Sequence, residues 1–261
     1  MAGLVPDGFE TSDGSRPEAV PLSEEAVRLL PLGAFALLAT GDIFEAGQAR
    51  SPPDGPARAR AYVASHLKIE AHGAAPGVVE KVRSEVVRQL SGNLQLIGRL
   101  AASRPIQVDL IPPGKGIAKF GYPAAVAKTA VGLFWDDPSW PNARMALKQE
   151  AMENTPQLVI HEMAHAIHYL AFTAQERELI YKVLLRRFGS RAAVDEVFAI
   201  YSEREFLPDF SERDHRAPGV YGFTRQQWKE DHVFTRFVRN LYFPYRKLAG
   251  PNAGGPGGFF G

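Results

Sequence analysis

Residues 161–165 read His-Glu-Met-Ala-His, inside the mostly apolar run "PQLVIHEMAHAIHYLA" at 156–171. At about 100° per residue, His165 stands about 40° round from His161 and one helical turn along, so both imidazoles can reach one cation from the same face. Glu162 lies beside that pair rather than in line with it, where it can touch a water on the metal without ligating the metal. Zinc held by two histidines and one further ligand keeps a fourth position for water and brings its pKa toward 7. Glu162 would take the proton of that water as it attacks a peptide carbonyl, then pass it to the leaving amine. Two ordinary core histidines would instead need a hydrogen-bonding partner for each ring in an apolar setting. The chain has no cysteine, so a transition metal must be held by His, Asp or Glu.

His168 falls about 20° off the same stripe, a turn beyond His165. A third ligand on one continuous helix would have to stretch along the axis, so His168 is read as a supporting or core residue. A metzincin would need Gly at 168 and His at 171; the chain has His168 and Ala171, which excludes that class.

The third ligand is sought in "AVDEVFAIYSEREFLPDF" at 193–210, a helical stretch carrying Glu196, Glu203 and Glu205. Glu196 lies 31 residues beyond His165, enough for a helix, a turn and a returning helix. Val197, Phe198 and Tyr201 can pack around it, and a carboxylate flanked by such residues needs a cation or a donor. Glu196 is favoured, with Glu203, Glu230, Asp231 and His232 as alternatives. Otherwise Glu203 and Glu205 read as a solvated helical face.

The elements that position these groups begin with a helix from Pro76, where Val78, Val79, Val82, Val86 and Leu90 recur at helical spacing. "IQVDLIPPG" at 106–114 alternates as a half-buried strand; "AKFGYP" at 118–123 and "TAVGLFWDD" at 129–137 can supply further short strands. The stretch 142–154 reads as a strand followed by a loop or short helix. Thr155 is a candidate N-cap with Pro156 at the first helical position. Helices come next at 175–188, 193–206 and 224–243, the last with Trp228, Phe234, Phe237, Val238 and Leu241 as its apolar stripe. The pattern is α+β, a small twisted, mostly antiparallel sheet packed on helices.

"LVIHEMAHAIHYLA" followed by "DEVFAIYSEREFL" resembles the gluzincin metallopeptidases, in the branch that contains anthrax lethal factor and the Mlc titration factor peptidases. The resemblance covers residues 76–240, with "APGVYGFTRQQW" at 217–228 similar to a later stretch of lethal factor. It implies a zincin-type metallopeptidase core, one Zn2+ per chain on His161, His165 and Glu196, Glu162 as general base, and a peptide or protein substrate. Lethal factor-like enzymes also place an oxyanion-steadying tyrosine seven residues before the ligand glutamate. Here that position is Gly189. Tyr221, in the turn "PGVYGF", is the favoured substitute, ahead of Tyr201 and Tyr122. An extended substrate is expected to pair with an edge strand above the metal helix, for which 130–137 is the candidate, and Trp135 to Trp140 can wall a subsite. Gly189 also leaves a second expectation, a catalytically weak or inactive zinc-binding regulatory protein on the same scaffold.

Thirty basic against 29 acidic residues, a net charge of +1, give no electrostatic case for nucleic acid or a membrane surface. The longest apolar run, 29–39, is too short to span a bilayer and is broken by Pro31 and Gly33. With no Sec-type leader pattern at the N-terminus, the chain is expected to be cytoplasmic or exported by a non-Sec route. Composition divides it into a loose segment at 1–20, a helical and loop region at 21–75, the metallopeptidase domain at 76–248 and a glycine-rich tail at 249–261. Oligomeric state has no signature in the sequence.

Overall fold

Ile106, Val108 and Leu110 alternate with Gln107 and Asp109, and they form an inner strand of a four-stranded sheet in a computed structural model describing residues 54–155, 157–188, 190–206 and 232–243. Helix α1 (Gly55–His66) runs directly into β1 (Leu67–Glu70), and α2 (Pro76–Leu90) and α3 (Leu94–Ala101) lead to β2 (Ile106–Ile111). A 3₁₀ turn (Ile117–Phe120) and α4 (Ala124–Ala127) precede β3 (Gly132–Trp135) and β4 (Ala143–Lys148). Then come α5 (Gln149–Asn154), α6 (Leu158–Ala166), a π turn (Ile167–Ala171), α7 (Ala174–Phe188), α8 (Arg191–Phe206) and α9 (His232–Tyr242).

The described chain is thus mixed α and β, with a small mixed sheet of order β1-β2-β4-β3. The expectation of a mostly antiparallel sheet is corrected: β1 with β2 and β2 with β4 are parallel, and only β3 runs antiparallel to β4. The connections dictate this. Parallel neighbours need a crossover, and α2 with α3 supply it between β1 and β2. Residues 118–123 form no strand; the 3₁₀ turn drives Ile117 into the core and stops at Gly121, whose φ of 88° is glycine territory. The segment 142–154 resolves into β4 and then a short helix. Thr155 does not cap α6; it closes α5, its N–H bonding to Ala151 O at 2.7 Å, and Gln157 precedes α6.

Residues 55–70, placed on sequence in the region 21–75, pack into the same core as the later elements: Ala59, Tyr62, Val63 and Leu67 join Val82, Val86, Leu90, Ile106, Val108 and the buried face of α6. In α9, Phe237, Val238 and Leu241 are buried as expected; Trp228 lies outside the described residues. Thr173 and Glu176 form a capping box at the start of α7, and Glu176 also binds Arg99 of α3 at 2.8 Å. No helix among the described residues is long and apolar enough to cross a membrane.

The far face of the sheet is covered too. Ile111, Ile117, Tyr122, Ala127 and Ala146 make a second, smaller core there, with Leu133 and Trp135 against it. Asp109 is therefore buried rather than half solvated. It accepts from Arg144 Nη2 at 2.6 Å, the Tyr122 hydroxyl at 2.8 Å, and Gln107 Nε2 and His72 Nε2 at 3.1 Å each. Burial alone would raise its pKa; these donors outweigh burial and hold the carboxyl below its ordinary value. The stability it contributes is then fully present above the unfolded carboxylate pKa of about 4 and is lost as pH falls through the lowered folded value. Asp109→Ala should cost about 3–5 kcal/mol in denaturant unfolding at pH 7 by stranding Arg144, and the wild type should keep less of that margin in melts near pH 2.

Candidate metal centre

Helix α6 is buried along its whole length, all nine residues from Leu158 to Ala166. It lies between β3 on one side and α8 on the other, and Gln89 of α2 donates to Ile160 O at 3.1 Å to fix it. A helix so enclosed must be apolar except where a side chain meets a built partner. Its polar residues do meet partners.

His161 and His165 sit one turn apart with their Nε2 atoms separated by 3.2 Å. Glu196, from the second turn of α8, comes to them with Oε2 at 3.4 Å from His161 Nε2 and Oε1 at 3.5 Å from His165 Nε2. One ligand atom from each residue falls within a 4.8 Å group, so His161, His165 and Glu196 can hold a metal ion. Two ring nitrogens and a carboxylate so close set electron-rich atoms against one another unless a proton or cation lies between them. Burial would raise the Glu196 pKa, but the His161 and His165 rings against it hold the carboxyl well below its ordinary value, so it is an anion at neutral pH. Its side chain is still 37% exposed, which leaves the group reachable from solvent.

Glu203 supplies what the sequence reading missed. It is fully buried, and its Oε1 lies 2.5 Å from His161 Nδ1. With a carboxylate opposite Nδ1, that nitrogen carries the proton and donates, which leaves the Nε2 lone pair free to bind a metal ion. Read on sequence as an alternative ligand or a solvated position, Glu203 is instead a buried carboxylate against the far side of the His161 ring. Its signal was its place two turns after Glu196, on the same face of α8. Glu205, also expected in solvent, is enclosed and pairs with Arg239 of α9 at 2.9 Å.

The residue before Glu196 ties α8 to the chain just beyond α6. Asp195 accepts from the Tyr169 hydroxyl at 2.6 Å and the Tyr181 hydroxyl at 2.7 Å, and His168 Nδ1 stands 3.2 Å from it, too poorly aligned for a hydrogen bond. Burial and the Asp195 contact push the Tyr169 hydroxyl up to about 12, so it stays a donor. His168 is enclosed by Tyr169, Phe172, Tyr181 and Phe198 and takes no part in the metal group, and burial lowers its pKa so that the ring is neutral at pH 7.

Glu162 is buried on α6 with its carboxylate pressed toward Gly132 of β3. β3 is an edge strand of the described sheet. Lys148 N–H bonds to Val131 O at 2.9 Å, which makes Leu133 with Ala146 the next hydrogen-bonded pair. The N–H and C=O groups of Gly132 and Phe134 therefore turn away from β4, toward the outer edge. Phe134 stacks on Tyr169, a residue 36% exposed.

The expected oxyanion tyrosines are less favoured by position. Tyr122 gives its hydroxyl to Asp109 on the far face of the sheet, and Tyr201 is buried in the main core. Tyr221, Gly189, Glu230 and Asp231 lie outside the described residues, and His232 begins α9. Compared with protein-family models, curated proteins and solved structures, the chain finds no match.

Removing the buried support should weaken the metal group without dismantling it. Glu203→Gln is expected to lower Zn2+ affinity by about 10–100-fold in a chelator competition, while circular dichroism reports an unchanged helical content.

Proposed function

We propose that the chain is a zinc-dependent metalloendopeptidase of gluzincin type, with a zincin-type core and a peptide or protein as substrate. The observation that carries this reading is the convergence of His161, His165 and Glu196: the two Nε2 atoms stand 3.2 Å apart, with Glu196 Oε2 3.4 Å from the first and Oε1 3.5 Å from the second. Tetrahedral zinc with arms of about 2.0–2.1 Å separates neighbouring ligand atoms by about 3.3 Å, close to the 3.2 Å between the two ring nitrogens and to the distance from each to its nearer carboxylate oxygen. Mixed nitrogen and oxygen donors without sulfur suit zinc, and three protein ligands leave a position open for chemistry.

A zinc ion held by these three residues supplies a Lewis acid, polarising a peptide carbonyl and lowering the pKa of water. The remaining work belongs to side chains of this protein. Glu162, one residue from the first ligand, takes the proton of the attacking water on its carboxylate and returns it to the departing peptide nitrogen. Glu203 keeps His161 in the tautomer that leaves Nε2 free to bind. An extended peptide adds to the sheet along the backbone of Gly132 and Phe134, which brings its main chain beside Glu162. Tyr221 is the proposed donor to the developing oxyanion, in place of the tyrosine that gluzincins of this branch carry where this chain has Gly189.

Gly189 also motivates a second reading, a zinc-binding regulatory protein on this scaffold with little or no catalysis. Cleavage of a broad peptide library, read by mass spectrometry with and without chelator, separates the two. The peptidase reading expects chelator-sensitive cleavage, and Glu162→Gln should keep one equivalent of zinc while losing at least about 10²-fold in kcat. Full activity in that variant would remove Glu162 from the mechanism; stoichiometric zinc with no peptide cut would favour the regulatory reading.

A further inference from the structure

Glycine at 132 is not required by its own backbone, which lies outside the left-handed region. What it provides is space. A Cβ at this position would stand 2.7 Å from Leu158 Cδ1 and 2.9 Å from Glu162 Cδ, with Glu162 Oε1 closer still. Gly92 is crowded too, but by the Tyr242 backbone carbonyl and Phe243, away from the metal group; Gly73, Gly77, Gly98, Gly114 and Gly116 would meet nothing within 4 Å. We infer that Gly132 is a positioning residue for the reaction proposed above, the absence of its side chain setting where the Glu162 carboxylate stands under the edge strand.

The magnitudes favour an effect on chemistry over one on folding. The atoms nearest that Cβ are the ends of two rotatable side chains, Leu158 and Glu162, and none belongs to His161, His165 or Glu196. A methyl group can thus be accommodated by swinging Glu162 aside, with the metal group left in place. Carbon atoms pack at about 3.5–4.0 Å, so the carboxylate must retreat by about 1 Å. A misplacement of that size at a reacting group costs about 10²-fold in rate. Gly132 also turns its own N–H and C=O toward the outer edge of the sheet, so one residue locates both the base and the backbone to which a peptide would pair.

Gly132→Ala tests this, with Leu133→Ala as a control on the opposite face of the same strand. The variant should keep wild-type zinc affinity in chelator competition and a melting temperature within a few degrees of wild type. Its kcat should fall about 10²-fold with KM little changed. A crystal structure of Gly132→Ala without added metal should show the Glu162 carboxylate displaced by about 1 Å, the histidines and Glu196 unmoved. An undisplaced carboxylate, or a kcat equal to wild type, would overturn the inference, as would an equal loss in Leu133→Ala. Should Gly132→Ala fail to fold, the Gly132→Ala/Glu162→Ala pair decides: a folded pair locates the clash at the carboxylate and supports the inference, an unfolded pair overturns it. The crystallographic displacement is read without catalysis, so failure of the positioning is distinguishable from failure of the peptidase reading.

Discussion

The structure turns on a row of carboxylates that α8 presents to the imidazoles of α6 and the turn after it. Asp195 faces His168, Glu196 faces His161 and His165, and Glu203 faces the other side of His161. Positions rise along α8 as they fall along α6, so the two helices run in opposite directions with their polar groups in register. Burying carboxylates is costly, and each of these is acceptable because a ring nitrogen or hydroxyl stands against it. Removing one partner alone would strand the other as a buried, unpaired polar group. The rest of the fold serves to hold this row: α2 fastens α6 through Gln89, α9 fastens α8 through Arg239 and Glu205, and the sheet backs α6 through β3.

The residues made legible whatever depends on local geometry. The angle between His161 and His165 follows from the helix itself, so their common face needed only the helix to exist. Glu196 was legible because a carboxylate between apolar neighbours states a need for a partner. Strand β2 and helices α2, α7 and α8 followed from their periodicity. Glu203 and Asp195 escaped because their partners lie on other helices, and their own neighbours in sequence look no different from those of a solvated acid. Strand direction escaped for a related reason. Whether two strands run parallel is decided by the connection between them, and β1, four residues joined to a helix without a break, had no pattern long enough to reveal it.

Asp109 teaches the same lesson on the other face. An alternating strand reads as half exposed, and that reading holds for a sheet covered on one side only. Here Tyr122, Trp140 and the 3₁₀ turn cover the second side, with Arg144 stacked on both aromatic rings at 4.5 and 4.9 Å. The polar members of the alternation then become a buried network rather than a wet surface.

His168, close to the metal stripe in sequence, takes no part in the metal group, and the helix changes its form where this residue stands. An ideal α-helix would carry it about 20° from His161 and in line with the ligands. From Ile167 the chain widens to a π turn, whose longer hydrogen-bonded loop shifts the register of every residue after it. His168 is turned into the aromatic enclosure of Phe172, Tyr181 and Phe198, and Tyr169 is turned toward Asp195 and Phe134. The distortion starts two residues after the second histidine of the metal group and leaves His161 and His165 on one regular turn. His168 thus belongs to the aromatic enclosure, while the regular turn before it presents His161 and His165 together to the Glu196 carboxylate of α8.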